Sequence, residues 1–297
     1  MTDILKSPAE NIFLVALDQD GEGFRQFIGS WVLRDGDCAA VIDPGPPATI
    51  PVLARALAEL GISRLPYILL THIHVDHAGG TGHLLRYYPR AAVVCHPGGM
   101  RHMVDPGKLW EATSRALGDV ADIYGRPGAV PETNLICPDK IELGEFRIET
   151  VPTAGHAPHH MAFRTGQVIF SGDAAGEVYP LREGIYVRIA AGPGFNRTDY
   201  EMSLELLRSL QPSLLCFGHF GWTQSPEEYF SLHAPQARLW TDIARGHKGM
   251  GDLSGEAVFR DLLAADPGIR SFPLLPADIR AREKRLMLNS LRFLAGR

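Results

Sequence analysis

The sequence predicts an α/β fold made of two similar blocks, each a sheet with helices on one side. Three observations predict it. Short β-like runs alternate with segments of helical period. Each block holds a strand-like run that ends on an aspartate: Ala39-Ala40-Val41-Ile42-Asp43 loosely echoes Gln167-Val168-Ile169-Phe170-Ser171-Gly172-Asp173. Histidines and aspartates gather just after such runs, where a rigid scaffold presents loops for chemistry.

The apolar runs at 12–17, 27–33 and 39–42 read as strands, and Asp43-Pro44-Gly45-Pro46-Pro47 as a turn. The spacing over 50–60 predicts a helix stopped by Gly61, a residue suited to the position just past a helix end. A buried strand at 67–70 leads into a histidine cluster, followed by a helix over 81–88 and a strand at 91–95. From 97 to about 125 the apolar residues, among them Met100, Met103, Trp110, Leu117 and Tyr124, recur at helical spacing. Strands return at 146–151, 161–164 and 168–170, a helix at 198–210 with Thr198 as N-cap, and a short strand at 214–217. Beyond Pro226 the chain reads as mainly helical, with glycine breaks near 246–255 and a last segment, 279–294, ending at Gly296. No low-complexity stretch or short-period repeat interrupts it.

With 297 residues, 45% of them hydrophobic, the chain can bury one large core or two modest ones. A net charge of -5 without a basic block disfavours phosphate-backbone binding, so no nucleic-acid partner is expected. Residues 1–10 lack a basic region followed by an apolar stretch, and the run at 12–17 is too short for a signal peptide or membrane span. A cytoplasmic protein with no membrane partner is the expectation. Cys38, Cys95, Cys137 and Cys216 form no CxxC pair, and the three in apolar stretches read as buried thiols.

Four metal-capable side chains fall within six residues in His72-Ile73-His74-Val75-Asp76-His77. On an extended segment, residues of equal parity face one way, so His72, His74 and Asp76 converge, and the chain turns at His77. Gly79 and Gly80 follow, where close packing or an unusual dihedral is tolerated. Three more candidates each follow a strand and lie near a glycine: His156 in Gly155-His156, Asp173 in Ser171-Gly172-Asp173, and His219 in Gly218-His219.

This constellation, taken in order, resembles the metallo-β-lactamase superfamily over roughly residues 10–225. The resemblance implies a four-layer αββα sandwich with metals at one edge, a catalytic domain at 10–225 with a helical insertion at about 97–130, and a mainly helical extension at 226–297 packed on the same domain. It implies that His72, His74 and His156 hold one divalent ion, that Asp76, His77 and His219 hold a second, and that Asp173 bridges them. Asp43 resembles the structural aspartate that orients the loop. Such a site leaves each ion an open position for a shared water or hydroxide that attacks the substrate. Zinc is the expected metal, with iron and manganese suited to the same ligands.

The run from Thr71 to Gly80 most resembles the glyoxalase II and lactonase-like branches, which implies hydrolysis of an ester, thioester or lactone of a small molecule. The basic glutathione-binding residues of glyoxalase II find no clear match. Flavodiiron-type enzymes usually carry glutamate where this chain has His74. A persulfide dioxygenase with one iron is the alternative reaction class, and a non-catalytic metal- or ligand-binding protein a further one.

Other residues near the cluster carry separate expectations. His160 is expected to pack under the site; His96, His159, Tyr179 and Tyr186 are candidate substrate contacts. His102, His233 and His247 read as surface or helix residues. The 97–125 segment reads as a cover of the cleft, a homodimer contact or ordinary helix packing. In the last helix, Arg280, Arg282, Lys284, Arg285 and Arg292 are expected to be solvated while the apolar face packs.

Overall fold

An unbroken apolar run such as Cys38–Ile42 cannot offer one face to water, so it belongs in the middle of a sheet. The structure, a computed structural model describing residues 5–249 and 255–295, places it there. The chain divides into two compact units, Met1–Val151 with His159–Gly166, and Pro152–Pro158 with Gln167–Arg297.

In the first unit, β1 (Leu5–Ala9), β2 (Ile12–Leu17), β3 (Ile28–Asp35), β4 (Cys38–Ile42), β5 (Arg64–Leu69), β6 (Ala92–Val94) and β7 (Leu135–Ile136) form a seven-stranded sheet in that order. Strands β1 to β4 pair antiparallel; β4 to β7 pair parallel. Parallel strands end on the same side, so β4, β5 and β6 bring Asp43, the histidine segment and His96 to one edge. Between β4 and β5, α1 (Ile50–Glu59) buries Ile50, Leu53, Ala56 and Leu57, a single face at helical spacing. Gly61 follows at φ 73, as its place predicts. The histidine segment runs into α2 (Val75–Ala78) and α3 (Thr81–Leu84). The insertion folds as α4 (Pro97–Val104), α5 (Gly107–Leu117) and α6 (Asp119–Tyr124). Met103 and Tyr124 are buried, whereas α5 buries no residue. A hairpin of β8 (Lys140–Leu143) and β9 (Phe146–Pro152), with β10 (Met161–Thr165) beside β9, completes this unit.

In the second unit, β11 (Val168–Gly172) is followed by the antiparallel pair β12 (Glu177–Tyr179) and β13 (Tyr186–Arg188). After α7 (Arg197–Ser209), β14 (Leu214–Phe217) pairs parallel with β11, and β15 (Trp222–Thr223) antiparallel with β14. The parallel pair delivers Asp173 and His219 to one edge, just as β4 and β5 deliver Asp43 and His72. The helices α8 (Pro226–His233), α9 (Gln236–Gly249), α10 (Glu256–Ala265) and α11 (Ala277–Ala295) follow. Their core includes Trp240, Leu262, Ile269, Met287 and Leu291, all inaccessible to solvent.

Several expectations are corrected. The helix over 81–88 is a single turn, α3, continued by turns. Helix α7 is capped by Asn196, whose Oδ1 accepts from the Asp199 N–H at 3.2 Å, and not by Thr198. Gly246 lies inside α9 rather than at a break. In α11, Arg282 and Glu283 are buried, so only part of the basic face is solvated. Residues 250–254 of the expected break, the start of the 1–10 segment and the end at Gly296 lie outside the described residues. Among the described residues, no helix is long and apolar enough to cross a membrane. Cys38, Cys95 and Cys216 are buried as expected, Cys137 is exposed, and burial pushes the Cys95 thiol up to about 12.

Candidate metal centre

In the first unit a chain of hydrogen bonds decides which ring nitrogens are available. Asp43 sits at φ 51, a left-handed conformation that a short polar residue tolerates. Its carboxylate accepts from the Thr71 N–H at 2.8 Å and the Thr71 hydroxyl at 2.6 Å. The hydroxyl proton is thereby committed, so at the 3.0 Å contact with His72 Nδ1 the ring donates and Thr71 Oγ1 accepts. His77 Nδ1 likewise donates to Asp43 Oδ2 at 3.0 Å. Both rings are left with a lone pair on Nε2, the tautomer a metal ligand requires.

His72 Nε2 and His74 Nδ1 face each other at 3.0 Å. Two imidazole ligands of one tetrahedral zinc stand about 3.3 Å apart, given Zn–N distances of about 2.0–2.1 Å. His77 Nε2 lies 3.8 Å from Asp76 Oδ2. The expected parity argument holds only for His72 and His74. The chain turns helical at Val75, earlier than His77, so Asp76 rides on a helical turn. Gly79 and Gly80 have ordinary helical φ of -59° and -77°; their need is space. A Cβ on Gly79 would lie 2.5 Å from the Val75 carbonyl oxygen, and one on Gly80 2.4 Å from Ile50.

In the second unit, Asp173 directs its two oxygens at two different histidines. Oδ2 lies 3.5 Å from His156 Nε2, and Oδ1 lies 3.6 Å from His219 Nε2. His156 Nδ1 donates to the Ala190 carbonyl at 2.8 Å, which again leaves the lone pair on Nε2. The turn carrying His156 requires Gly155, at φ 135, because a Cβ there would stand 2.3 Å from Tyr200 Cα. Asp173, His156 and His219 are all buried. Imidazoles with fixed tautomers and a split carboxylate are a donor set that fits divalent ions.

The remaining candidates fall into place unevenly. His160 stacks on His72, with ring centroids 5.0 Å apart. His159 is half-buried and edge-on to His74 at 6.3 Å. His96 caps α4 by accepting from the Gly98 N–H at 3.0 Å, which gives it a local role. Tyr179 stands edge-on to Phe220 at 4.7 Å and keeps some exposure. Tyr186 is inside the core, and its hydroxyl donates to Glu283 at 2.7 Å. His233 is not a surface residue. It is buried between Tyr200 and Gln236, and burial pushes it down to about 4.

Sequence reasoning missed Glu177. Asp173, Glu177 and His219 each offer one ligand-capable atom within 4.8 Å of the others. Burial raises the Glu177 carboxyl, opposed by Arg188 and His219. The signal was present: Glu177 stands alone in the apolar stretch Ala174-Ala175-Gly176-Glu177-Val178.

The family model described as the Metallo-beta-lactamase superfamily matches residues 26–219. The chain is 29% identical over 231 residues to the metallo-beta-lactamase fold-containing protein ST1585 of Sulfurisphaera tokodaii, covering 73% of this chain and 84% of that protein. It is 34% identical over 151 residues to hydroxyacylglutathione hydrolase of Cupriavidus taiwanensis, over 48% of this chain and 47% of that enzyme. The crystal structure of ST1585 superposes with a TM-score of 0.70 at 21% identity, covering 98% of this chain and all (100%) of that one. A metallo-beta-lactamase family protein from Thermus thermophilus gives a TM-score of 0.61 at 21% identity, covering 96% of this chain and 94% of that one.

Proposed function

The chain belongs to the metallo-beta-lactamase superfamily, and from that premise we propose that it is a metal-dependent hydrolase of a small ester, thioester or lactone. The observation that carries the reading is the split carboxylate of Asp173, one oxygen toward His156 and the other toward His219. A carboxylate so placed serves two ions better than one. The family pattern assigns His72, His74 and His156 to one ion and Asp76, His77 and His219 to the other, with Asp173 shared. These residues would hold two divalent ions, with zinc the default among metals that suit such ligands; when bound, the ions would lower the pKa of a water and polarise the substrate carbonyl.

The residues of the chain prepare that chemistry. Thr71, Asp43 and the Ala190 carbonyl hold His72, His77 and His156 in the tautomer that binds through Nε2. Asp76 and Asp173 would bring two negative charges against the four positive charges of two divalent ions. Likeness to a hydroxyacylglutathione hydrolase over about half of that enzyme supports an acyl substrate, while half of this chain lies outside the match. We read the protein as acting in the cytoplasm on a small molecule.

The test is metal content per chain on protein purified without added metal, with an ester, thioester and lactone screen and an oxygen-uptake control. Two zinc ions, or another redox-inert pair, with hydrolysis of one substrate class would bear the reading out. One iron per chain with thiol-dependent oxygen consumption would replace it with a sulfur dioxygenase. Asp173→Ala is expected to lose bound metal and at least about 100-fold in kcat/KM, since even groups that only orient ligands cost about 10–100-fold. An active, metal-loaded Asp173→Ala protein would refute the assignment.

A further inference from the structure

The second unit buries a charge network that the ligands alone do not require. Glu177 on β12 is paired in register with Arg188 on β13. The guanidinium fork meets the carboxylate squarely: Nη1 donates to Oε1 at 3.1 Å and Nη2 to Oε2 at 2.5 Å. From its other side, Arg188 Nε donates to Glu283 Oε2 on α11 at 2.5 Å. Tyr186 donates to the same oxygen at 2.7 Å, and Arg282 Nη2 to Glu283 Oε1 at 2.9 Å. Taking four charges out of water is costly, and apolar side chains could join a strand pair to a helix without that cost. The network therefore points to a local use.

Its position supplies one. Glu177 has a carboxylate oxygen within 4.8 Å of ligand-capable atoms of both Asp173 and His219. The same helix touches neighbouring segments twice more. The Arg282 guanidinium sits 4.9 Å over the ring of Phe220, the residue after His219, which is held at φ 64. Ser290 Oγ accepts from the Ala191 N–H at 3.3 Å, next to the Ala190 carbonyl that fixes His156.

We propose that Glu177 is a positioning residue of the metal centre, clamped by Arg188 and through it by Glu283 of the C-terminal helix. Its carboxylate orients Asp173 and His219 and offsets the charge of Arg188 beside a place where cations bind. The inference rests on the metal-centre reading and adds to it a support that comes from α11, well beyond the last ligand.

The test uses the whole protein and Glu177→Gln, which keeps the shape and an acceptor for Arg188 but removes the charge. Zinc affinity is read by chelator competition, the ligand field by the visible spectrum of the cobalt-substituted protein, and folding by the melting of the metal-free protein. A loss of about 10–100-fold in zinc affinity with shifted cobalt bands and a cooperative metal-free melt is expected. Wild-type affinity with unchanged bands overturns the proposal. Should Glu177→Gln not fold, Arg188→Lys keeps the charge and removes the fork. It is expected to weaken zinc binding in the same direction, and unchanged binding overturns the proposal equally. A wild-type protein that binds no metal would instead remove the metal-centre reading itself, before either variant is compared.

Discussion

His233 shows how a residue's surroundings become a property of the whole chain. Its imidazole is neutral because burial holds its pKa at about 4, below the 6.5 of an exposed histidine. The unfolded chain therefore binds a proton that the folded chain refuses between these values. Stability from this site is complete above pH 6.5 and is lost as pH falls toward 4, by roughly 3 kcal/mol at about 1.4 kcal/mol per pKa unit. The gap between the urea midpoints of wild type and His233→Gln should be constant above pH 6.5 and shift against the wild type as pH falls toward 4; a gap unchanged throughout would contradict the burial. Thr71 gives a second expectation. Thr71→Val removes the hydroxyl that donates to Asp43 and accepts from His72, at a cost of about 1–3 kcal/mol in stability and about 10–100-fold in metal affinity. Chelator competition checks the second figure. At this scale the ligand candidates were legible because spacing and flanking glycines mark them. Glu177, Arg188 and Glu283 were not, because a charged residue reads as solvent-facing until its partner is found, and Arg188 and Glu283 stand 95 residues apart.

Elements were legible where period and burial agree. Strand β2, helix α1 and β14 match their predicted limits closely, since each is apolar on the face the pattern names. The short strands β1, β8, β12, β13 and β15 escaped notice because two to five residues carry too little period. The missed turn α2 has another cause. Parity describes only an extended chain, and the loop bends after His74. The cap of α7 offers a direct check: Asn196→Ala should cost about 1 kcal/mol, whereas Thr198→Ala should stay within about 0.5 kcal/mol. Denaturant midpoints that moved equally would argue against Asn196 as the cap. Gly155→Ala should be more damaging than either, because the added carbon meets Tyr200 backbone and must also adopt φ 135.

For the whole molecule, the predicted fold class is the one found: the α/β metallo-β-lactamase fold with a helical C-terminal region. The echo of a strand ending on an aspartate was a fair guide, since β4 and β11 each deliver one. What the sequence did not reveal is that the C-terminal helices share a core with Tyr186, Ile189 and Tyr200. Apolar residues at helical spacing say that a face is buried but not against what. Ligands that bind only the folded chain stabilise it, by about 2.7 kcal/mol at a free concentration of about 100 times Kd. Chelation should therefore lower the melting temperature reversibly, with recovery on adding zinc; a melt indifferent to both would speak against a bound metal.

The bond between Arg188 and Glu283 also sets a clock. The two residues are 95 positions apart in the chain, so a ribosome adding about 5–20 residues per second takes on the order of 5–20 s to go from one to the other. For that interval the nascent chain carries Glu177 and Arg188 with their third partner not yet made. Until α11 has been made, the unit that holds Asp173 and His219 cannot complete this charge network, so its closure waits on a residue far down the chain from those it joins.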